Sequence, residues 1–396
     1  MESNQKTKLL EQLIQSLELP DSAYEKAVRR YEDLGAWFDR DDSKLKYNAP
    51  HIFPQGSFRL GTAIKPLNQD ESYDLDLACN IRKEISTSTH SQEYLKDVVG
   101  EEIESYRVAR RIQAEKEEKH RCWRLEYADD VNFHMDVVPC IPESENIRQQ
   151  LSESMQKHGL NLEIASNLSS YAICITDNTH KNYSGISDNW QISNPEGYAN
   201  WFEAKMSVRL LKEAMSVKAQ VDEVPTFKRK TPLQRIVQLL KRHRDTMFVD
   251  AADLKPISVI ITTIAAQSYS GTASLQAGLQ EVLSALTDFA NSNSDEVLNP
   301  VNPAENFADK WTNPEYKKYN LKSNFHNWVY EVNRHFNLLL TTNDVQKIVE
   351  VASGRFAFNR SANEWAEQLG MSIAPTVFIT PSKNIDSVQA KPWCKE

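Results

Sequence analysis

The sequence has few cysteines, no long apolar run and no surplus of positive charge, and each shortage removes a class of protein. The five cysteines, Cys79, Cys122, Cys140, Cys174 and Cys394, form no C-x-x-C pair, which argues against a structural zinc module. An odd, scattered set fits reduced thiols in a cytosolic protein. No stretch approaches the roughly 18 apolar residues of a membrane span, so no membrane partner is expected. The opening Met-Glu-Ser-Asn-Gln-Lys lacks the apolar core of a signal peptide, and a cytoplasmic location is expected. Formal net charge is -9, against an extensive, constitutive surface for duplex DNA, because neutralising phosphates takes a field of Lys and Arg. A local basic pocket for a nucleoside triphosphate stays open. There is no internal repeat and no low-complexity block.

What is present is an ordinary globular composition, 40% hydrophobic and 26% charged, in 396 residues, a length that suits two packed units. Leu9, Leu10, Leu13, Ile14 and Leu17 recur at helical spacing up to Pro20, and Asp21 or Ser22 is placed to cap a second helix running toward Phe38. His51 to Gln55 reads as a short strand entering a Gly-Ser turn. Ser72 to Asn80 alternates Tyr73, Leu75, Leu77 with Asp74, Asp76, Ala78, a strand with one apolar and one acidic face. Ser91 to Lys119 reads as one long helix with Tyr94, Leu95, Val98, Val99 and Ile103 inside. Two strands follow, 122–127 and 131–138, joined by a turn at Asp129-Asp130, and 172–176 is a further short strand. A helical segment over 196–217 marks the boundary to a second half that is helical almost throughout. There, Pro232 starts a helix with the stripe Leu233, Ile236, Val237 and Leu240; Pro256 opens an apolar helix over 257–266; and 275–289, 325–340 and 344–351 are helical. Asn299 to Asn306 reads as an extended, Pro-broken connector. The fold class is therefore α+β, with a mixed front unit over 1–195 and a helical lobe over 196–396.

Asp74 and Asp76 are two apart on a strand, so both carboxylates point to one face, roughly 7 Å apart along its axis. Asp136, on the apolar strand beside them, would complete three hard oxygen ligands of the kind that suits Mg²⁺. Nucleotidyl transfer needs one metal to activate the attacking hydroxyl and a second to neutralise the departing pyrophosphate. Gln55-Gly56-Ser57 precedes this pair, and a glycine turn lets amides and the Ser57 hydroxyl cradle a triphosphate. On the helix over 231–245, Gln234, Gln238 and Lys241 share one face, and Lys241 can reach a triphosphate as a point charge. Around it Lys228, Arg229, Lys230, Arg235, Arg242 and Arg244 concentrate positive charge. Ser258 is either a phosphate donor or a plain helix-start serine. His134 shares the face of Asp136 and is either a supporting partner or a satisfied core histidine. Trp201, Phe202, Trp311 and Trp328 read as packing residues, with stacking on a nucleobase open for one of them.

Taken together, Gln55-Gly-Ser-Phe-Arg-Leu-Gly-Thr62, Tyr73-Asp-Leu-Asp-Leu77, Met135-Asp-Val-Val-Pro139, the run from Pro232 to His243, and Asn299-Pro-Val-Asn-Pro303 with Asn306 resemble the bacterial cGAS/DncV-like nucleotidyltransferases. These are the signal-generating enzymes of anti-phage CBASS systems, related to oligoadenylate synthases. The resemblance implies a polymerase-β-like core, a mixed sheet with flanking helices, plus a helical C-terminal lobe closing a nucleotide cleft. It implies joining of nucleoside triphosphates (ATP, with GTP, UTP or CTP as alternatives) into a cyclic di- or trinucleotide that acts on a separate effector. Two Mg²⁺ ions, with Mn²⁺ as a substitute, would sit on Asp74, Asp76 and Asp136. Gln55, Gly56, Ser57, Lys241 and Ser258 would bind nucleotide. The zinc insertion of the animal DNA sensor has no counterpart here. Two rival readings are transfer of a nucleotide to an RNA end, a protein or a small molecule, and a catalytically silent nucleotide or RNA sensor.

Overall fold

The computed structural model describes residues 1–68, 71–127, 132–206 and 230–372. The turn at Asp129-Asp130, residues 207–217 of the boundary helix, Lys228, Arg229 and Cys394 lie outside them. The chain starts with α1 (Ser3–Leu17), which buries all five of its periodic apolar residues. Pro20, not Asp21 or Ser22, takes the N-cap position of α2 (Asp21–Phe38), so no side chain caps that helix. β1 (Pro50–Pro54) then runs into the one-turn helix α3 (Gly56–Arg59), followed by β2 (Tyr73–Ile81).

The expected long helix is shorter than its sequence suggests. α4 (Gln92–Ala109), capped by the Ser91 hydroxyl, buries Leu95, Val99 and Ile103 but leaves Tyr94 48% exposed. Past Tyr106 the charged segment offers almost no apolar face to bury, so helix gives way to sheet pairing. Arg111 takes a positive φ and Glu117–Glu118 becomes β3, paired with β4 (Trp123–Tyr127). β5 (Phe133–Pro142) follows. Two helices that the apolar periodicity does not announce come next, α5 (Glu145–Lys157) and α6 (Leu162–Ser169). They bury only a few side chains each, but Ser144 and Asn161 cap them by accepting from the amides of Ile147 and Ile164.

After β6 (Ile173–Ile175) and β7 (Gln191–Ser193), α7 (Pro195–Met206) leads toward the helical part. α8 (Pro232–Met247) opens with Pro at its first turn and a reciprocal cap between Thr231 and Gln234. α9 (Ser258–Ser268) and α10 (Leu275–Asn291) follow. The Asn-Pro segment is a small hairpin rather than a connector: β8 (Leu298–Asn299) turns back on β9 (Asn302–Asn306). The described chain finishes with α11 (Leu321–Thr341), α12 (Val345–Phe356) and α13 (Ala362–Leu369).

The main sheet runs β1-β2-β5-β4-β3, with β6 on the free end of β5 and β7 on β6. Among the described strands only β2 and β5 pair in parallel. Their apolar sides, Leu75, Leu77, Met135 and Val137, pack with α2 and α4 in one core. A second core joins the stripe of α8 to α9–α13. It also takes in Leu9 to Leu17 of α1 and the buried faces of α6 and α7, so the two cores do not divide the chain in sequence order. Among the described residues no helix is long and apolar enough to cross a membrane, and Cys79, Cys122, Cys140 and Cys174 are free thiols.

Candidate active site

Strand pairing brings the acidic residues together. The parallel register sets Asp76 opposite Asp136 and Asp74 opposite His134, and paired residues share a sheet face. On the other side of β5, antiparallel β4 puts Arg124 opposite Asp136 and Glu126 opposite His134. Arg124 grips Asp136 with a two-pronged fork, Nε to Oδ1 and Nη2 to Oδ2, both at 2.7 Å. His134 stands between two carboxylates, with Nδ1 3.7 Å from Asp74 and Nε2 3.5 Å from Glu126, so it sides with Asp74 rather than with Asp136.

Asp76 is the focus of this face. Its carboxylate is partly buried and accepts no hydrogen bond from the described residues. Burial first, then the charges of Asp74 and Asp136, push its pKa up to about 7, against the pull of Lys241 and Arg124. A cation bound at this face would favour the ionised form of Asp76. As the side chains stand, no three acidic, histidine or cysteine groups among the described residues close on one point.

The turn at 55–57 is fastened directly to this strand. The Gln55 amide donates to the Asp76 carbonyl at 2.8 Å, and the Gln55 side chain to the Leu77 carbonyl at 3.3 Å. Gln55 thereby positions the turn and has its amide group turned to β2. Gly56, at φ +64°, lies so close that a Cβ there would stand 2.2 Å from Asp76 Oδ2. Only glycine fits. Three residues on, Arg59 is nearly buried and pairs with Glu196 (Nη2 to Oε1, 2.8 Å), with Glu203, and with Asn200 at 3.2 Å. It clamps the turn to α7. Sequence reasoning passed over Arg59 and Arg124. The stripe Glu196, Asn200, Glu203 at i, i+4 and i+7 was a legible hint for Arg59, whereas Arg124 becomes visible only once strand order is known.

α8 forms the opposite wall. Gln234 donates to the Leu60 carbonyl (2.9 Å), Gln238 to Ala63 (2.8 Å), Lys241 to Thr62 (2.9 Å), and Arg242 to Lys65. The polar face expected to meet phosphate is thus spent on the backbone of 60–65. Burial, then Arg244, push the Lys241 pKa down to about 8, while Asp245, Asp76 and Asp74 act to raise it. Ser258, first residue of α9, accepts from Arg244 Nη1 at 2.6 Å, and the same guanidinium holds Asp245.

Between these walls lies a cavity of about 730 Å³, a size that suits a nucleotide. Gly56, Ser57, Asp74, Asp76, Lys241 and Ser258 all line it, whereas Gln55 and Asp136 do not. Its aromatic side chains are Phe58, Tyr73, Tyr198, Phe248 and Phe307; none of Trp201, Phe202, Trp311 and Trp328 reaches it.

Residues 50–139 match a family model described as the nucleotidyltransferase domain of cyclic GMP-AMP synthase DncV-like proteins. Over 338 residues the chain is 32% identical to a c-di-GMP synthase of Roseivirga ehrenbergii, covering 82% of this chain and 80% of that one. It is 24% identical to the cyclic dinucleotide synthase CdnG of Bradyrhizobium diazoefficiens over 382 residues, 92% of this chain and 84% of the relative. Superposition on the structure of that CdnG in complex with GTP gives a TM-score of 0.64 at 19% identity, covering 93% of this chain and all of the other. The Vibrio cholerae dinucleotide cyclase DncV gives 0.51 at 13% identity, over 91% and 87% of the two chains.

Proposed function

The chain belongs to the DncV-like nucleotidyltransferases, and from that membership we propose that it joins nucleoside triphosphates, in a divalent-metal-dependent reaction, into a cyclic di- or trinucleotide. That product would signal to a separate effector in anti-phage defence. The observation carrying this reading is the meeting of Gly56 with Asp76, beside Asp74, at the wall of a nucleotide-sized cavity. A glycine approach for phosphate and a pair of hard oxygen donors in one place is what nucleotidyl transfer needs.

The residues fit Mg²⁺: the donors are carboxylates, and the like charges of Asp74 and Asp136 outweigh the pull of Lys241 and Arg124 on Asp76. Asp74 and Asp76 would hold both ions, and Asp136 would join them once Arg124 yields one of its oxygens. Bound metal supplies acidification of the attacking hydroxyl and neutralisation of the departing pyrophosphate. Gly56 and Ser57 receive the donor triphosphate, Arg59 holds that turn in place through α7, and Lys241 and Arg244 give the cavity a positive field. Guanine nucleotides are the first to try, since one relative is named a c-di-GMP synthase and another is known in complex with GTP.

The test is to incubate the full chain with labelled nucleoside triphosphates and Mg²⁺, then treat with phosphatase. A phosphatase-resistant product is expected from the native protein and none from Asp74→Asn or Asp76→Asn. A product that is only linear, or label transferred to RNA or protein, would point to the rival transferase reading.

A further inference from the structure

The cavity is lined by one more carboxylate, which the transfer chemistry does not use. Glu305 on β9 lines the same cavity as Asp74 and Asp76, together with Asn299 and Phe307. Asn299 is almost fully buried and donates from Nδ2 to Glu305 Oε2 at 2.7 Å, while its own carbonyl accepts from the Val301 amide at 3.0 Å. That second bond fixes which way the Asn299 amide points. Glu305 Oε1 accepts nothing from the described residues, and no described cation lies within ion-pair distance of the carboxylate. Arg121, whose charge acts on Glu305, is itself paired with Asp177.

The hairpin that carries Glu305 is fastened by the Asn306 side chain. Asn306 Oδ1 accepts from the amides of Val297 and Ala308 at 2.8 and 2.9 Å, and its Nδ2 donates to the Asp295 carbonyl at 3.1 Å. A bond from the Phe307 amide to the Val297 carbonyl extends the ladder beyond Asn306. Phe307 in turn packs edge-on to Tyr198, ring centroids 6.0 Å apart. A preorganised acceptor beside an aromatic side chain is the equipment of a base pocket.

Resting on the nucleotidyltransferase reading, we propose that Glu305, positioned by Asn299, reads the Watson–Crick edge of guanine and makes guanosine triphosphate the preferred occupant of this cavity. A carboxylate repels phosphate, so its place in a triphosphate cavity is opposite the part of the ligand that bears hydrogen-bond donors. An ionised carboxylate only accepts. Guanine alone among the four bases offers two adjacent donors on one edge, N1–H and the N2 amino group. Adenine and cytosine each set a ring nitrogen acceptor beside their amino group, and uracil flanks its one N–H with two carbonyls. Each of those three turns a lone pair toward the second carboxylate oxygen.

The experiment is equilibrium binding of non-hydrolysable α,β-methylene analogues of GTP and ATP to the full chain, native and Glu305→Gln, with melting temperatures as the check on folding. The native protein is expected to favour the GTP analogue. Glu305→Gln, whose amide matches adenine as well as guanine, is expected to lose about 10- to 100-fold of that preference, the worth of one bidentate base contact. Glu305→Ala, a second variant should the first fold poorly, is expected to lose preference without gaining adenine affinity. Equal binding of both analogues by the native protein, or an unchanged ratio in either folded variant, overturns the assignment. Because binding is read without turnover, this outcome is independent of whether a cyclic product forms.

Discussion

Helix α8 and strand β2 face each other across one cavity and treat their polar groups in opposite ways. On α8, the side chains of Gln234, Gln238, Lys241 and Arg242 each end on a backbone carbonyl of residues 60–65. On β2, Asp74 and Asp76 accept no hydrogen bond from the described residues, His134 standing 3.7 Å from Asp74, and Asp76 is held against like charge at a pKa of about 7. Buried polar groups with matched partners stabilise a fold, whereas a partly buried carboxylate without one costs stability and persists where a ligand supplies the missing charge. By this contrast α8 is a fastening and β2 is the reaction surface.

The largest effect should come from β2. Asp76→Asn is expected to lower product formation by about 10³-fold or more, the several kcal/mol that metal ligation supplies, while the protein remains folded. The same substitution should change how stability depends on pH. Asp76 titrates near 7 in the folded chain and near 4 when unfolded, so without metal its contribution is greatest at low pH and is lost as pH rises from about 4 through 7. Asp76→Asn should flatten that decline in melting temperature. Mg²⁺ should raise the native melting temperature at pH 8 and leave that of the variant unmoved; an equal rise in both would place the metal elsewhere.

Arg59→Met should come next, since it leaves Glu196 and Glu203 facing each other without their cation. A loss of about 3 kcal/mol in denaturant unfolding is expected, as for other broken buried pairs, and Glu203→Gln in the same chain should recover part of it. On α8, Gln238→Leu should cost about 1–2 kcal/mol for the orphaned Ala63 carbonyl and reduce turnover by less than about tenfold. A loss of turnover as deep as that of Asp76→Asn would dissolve the distinction between the two walls. The smallest change belongs to Ser258→Ala: Arg244 keeps the Pro256 carbonyl and Asp245, so stability should shift by less than about 1 kcal/mol.

Much of this was legible in the sequence because the signals were local. Alternation over 73–78 announced β2 and its acidic face, and Thr231, Pro232 and the Leu233 to Leu240 stripe announced α8. The same local view overextended α4, because charged residues past Tyr106 keep helical propensity but have nothing to pack against, and pairing with β4 wins. It missed α5 and α6, whose caps are clear but whose apolar stripes are thin. In the site, the face of Lys241 could be read from spacing, but that the face would be spent on the carbonyls of 60–65 depends on contacts 174 to 179 positions apart. Arg59 and Arg124 were hidden for the same reason. Each acquires meaning only from a partner on another element.

The central claim is that the carboxylates of β2 carry nucleotidyl transfer to a cyclic product. The most direct measurement is mass spectrometry of the phosphatase-resistant product formed from GTP and ATP with Mg²⁺, comparing the native chain with Asp74→Asn/Asp76→Asn. A cyclic oligonucleotide from the native chain and none from the folded double variant is the predicted result. A cyclic product that survives loss of both carboxylates would contradict the account.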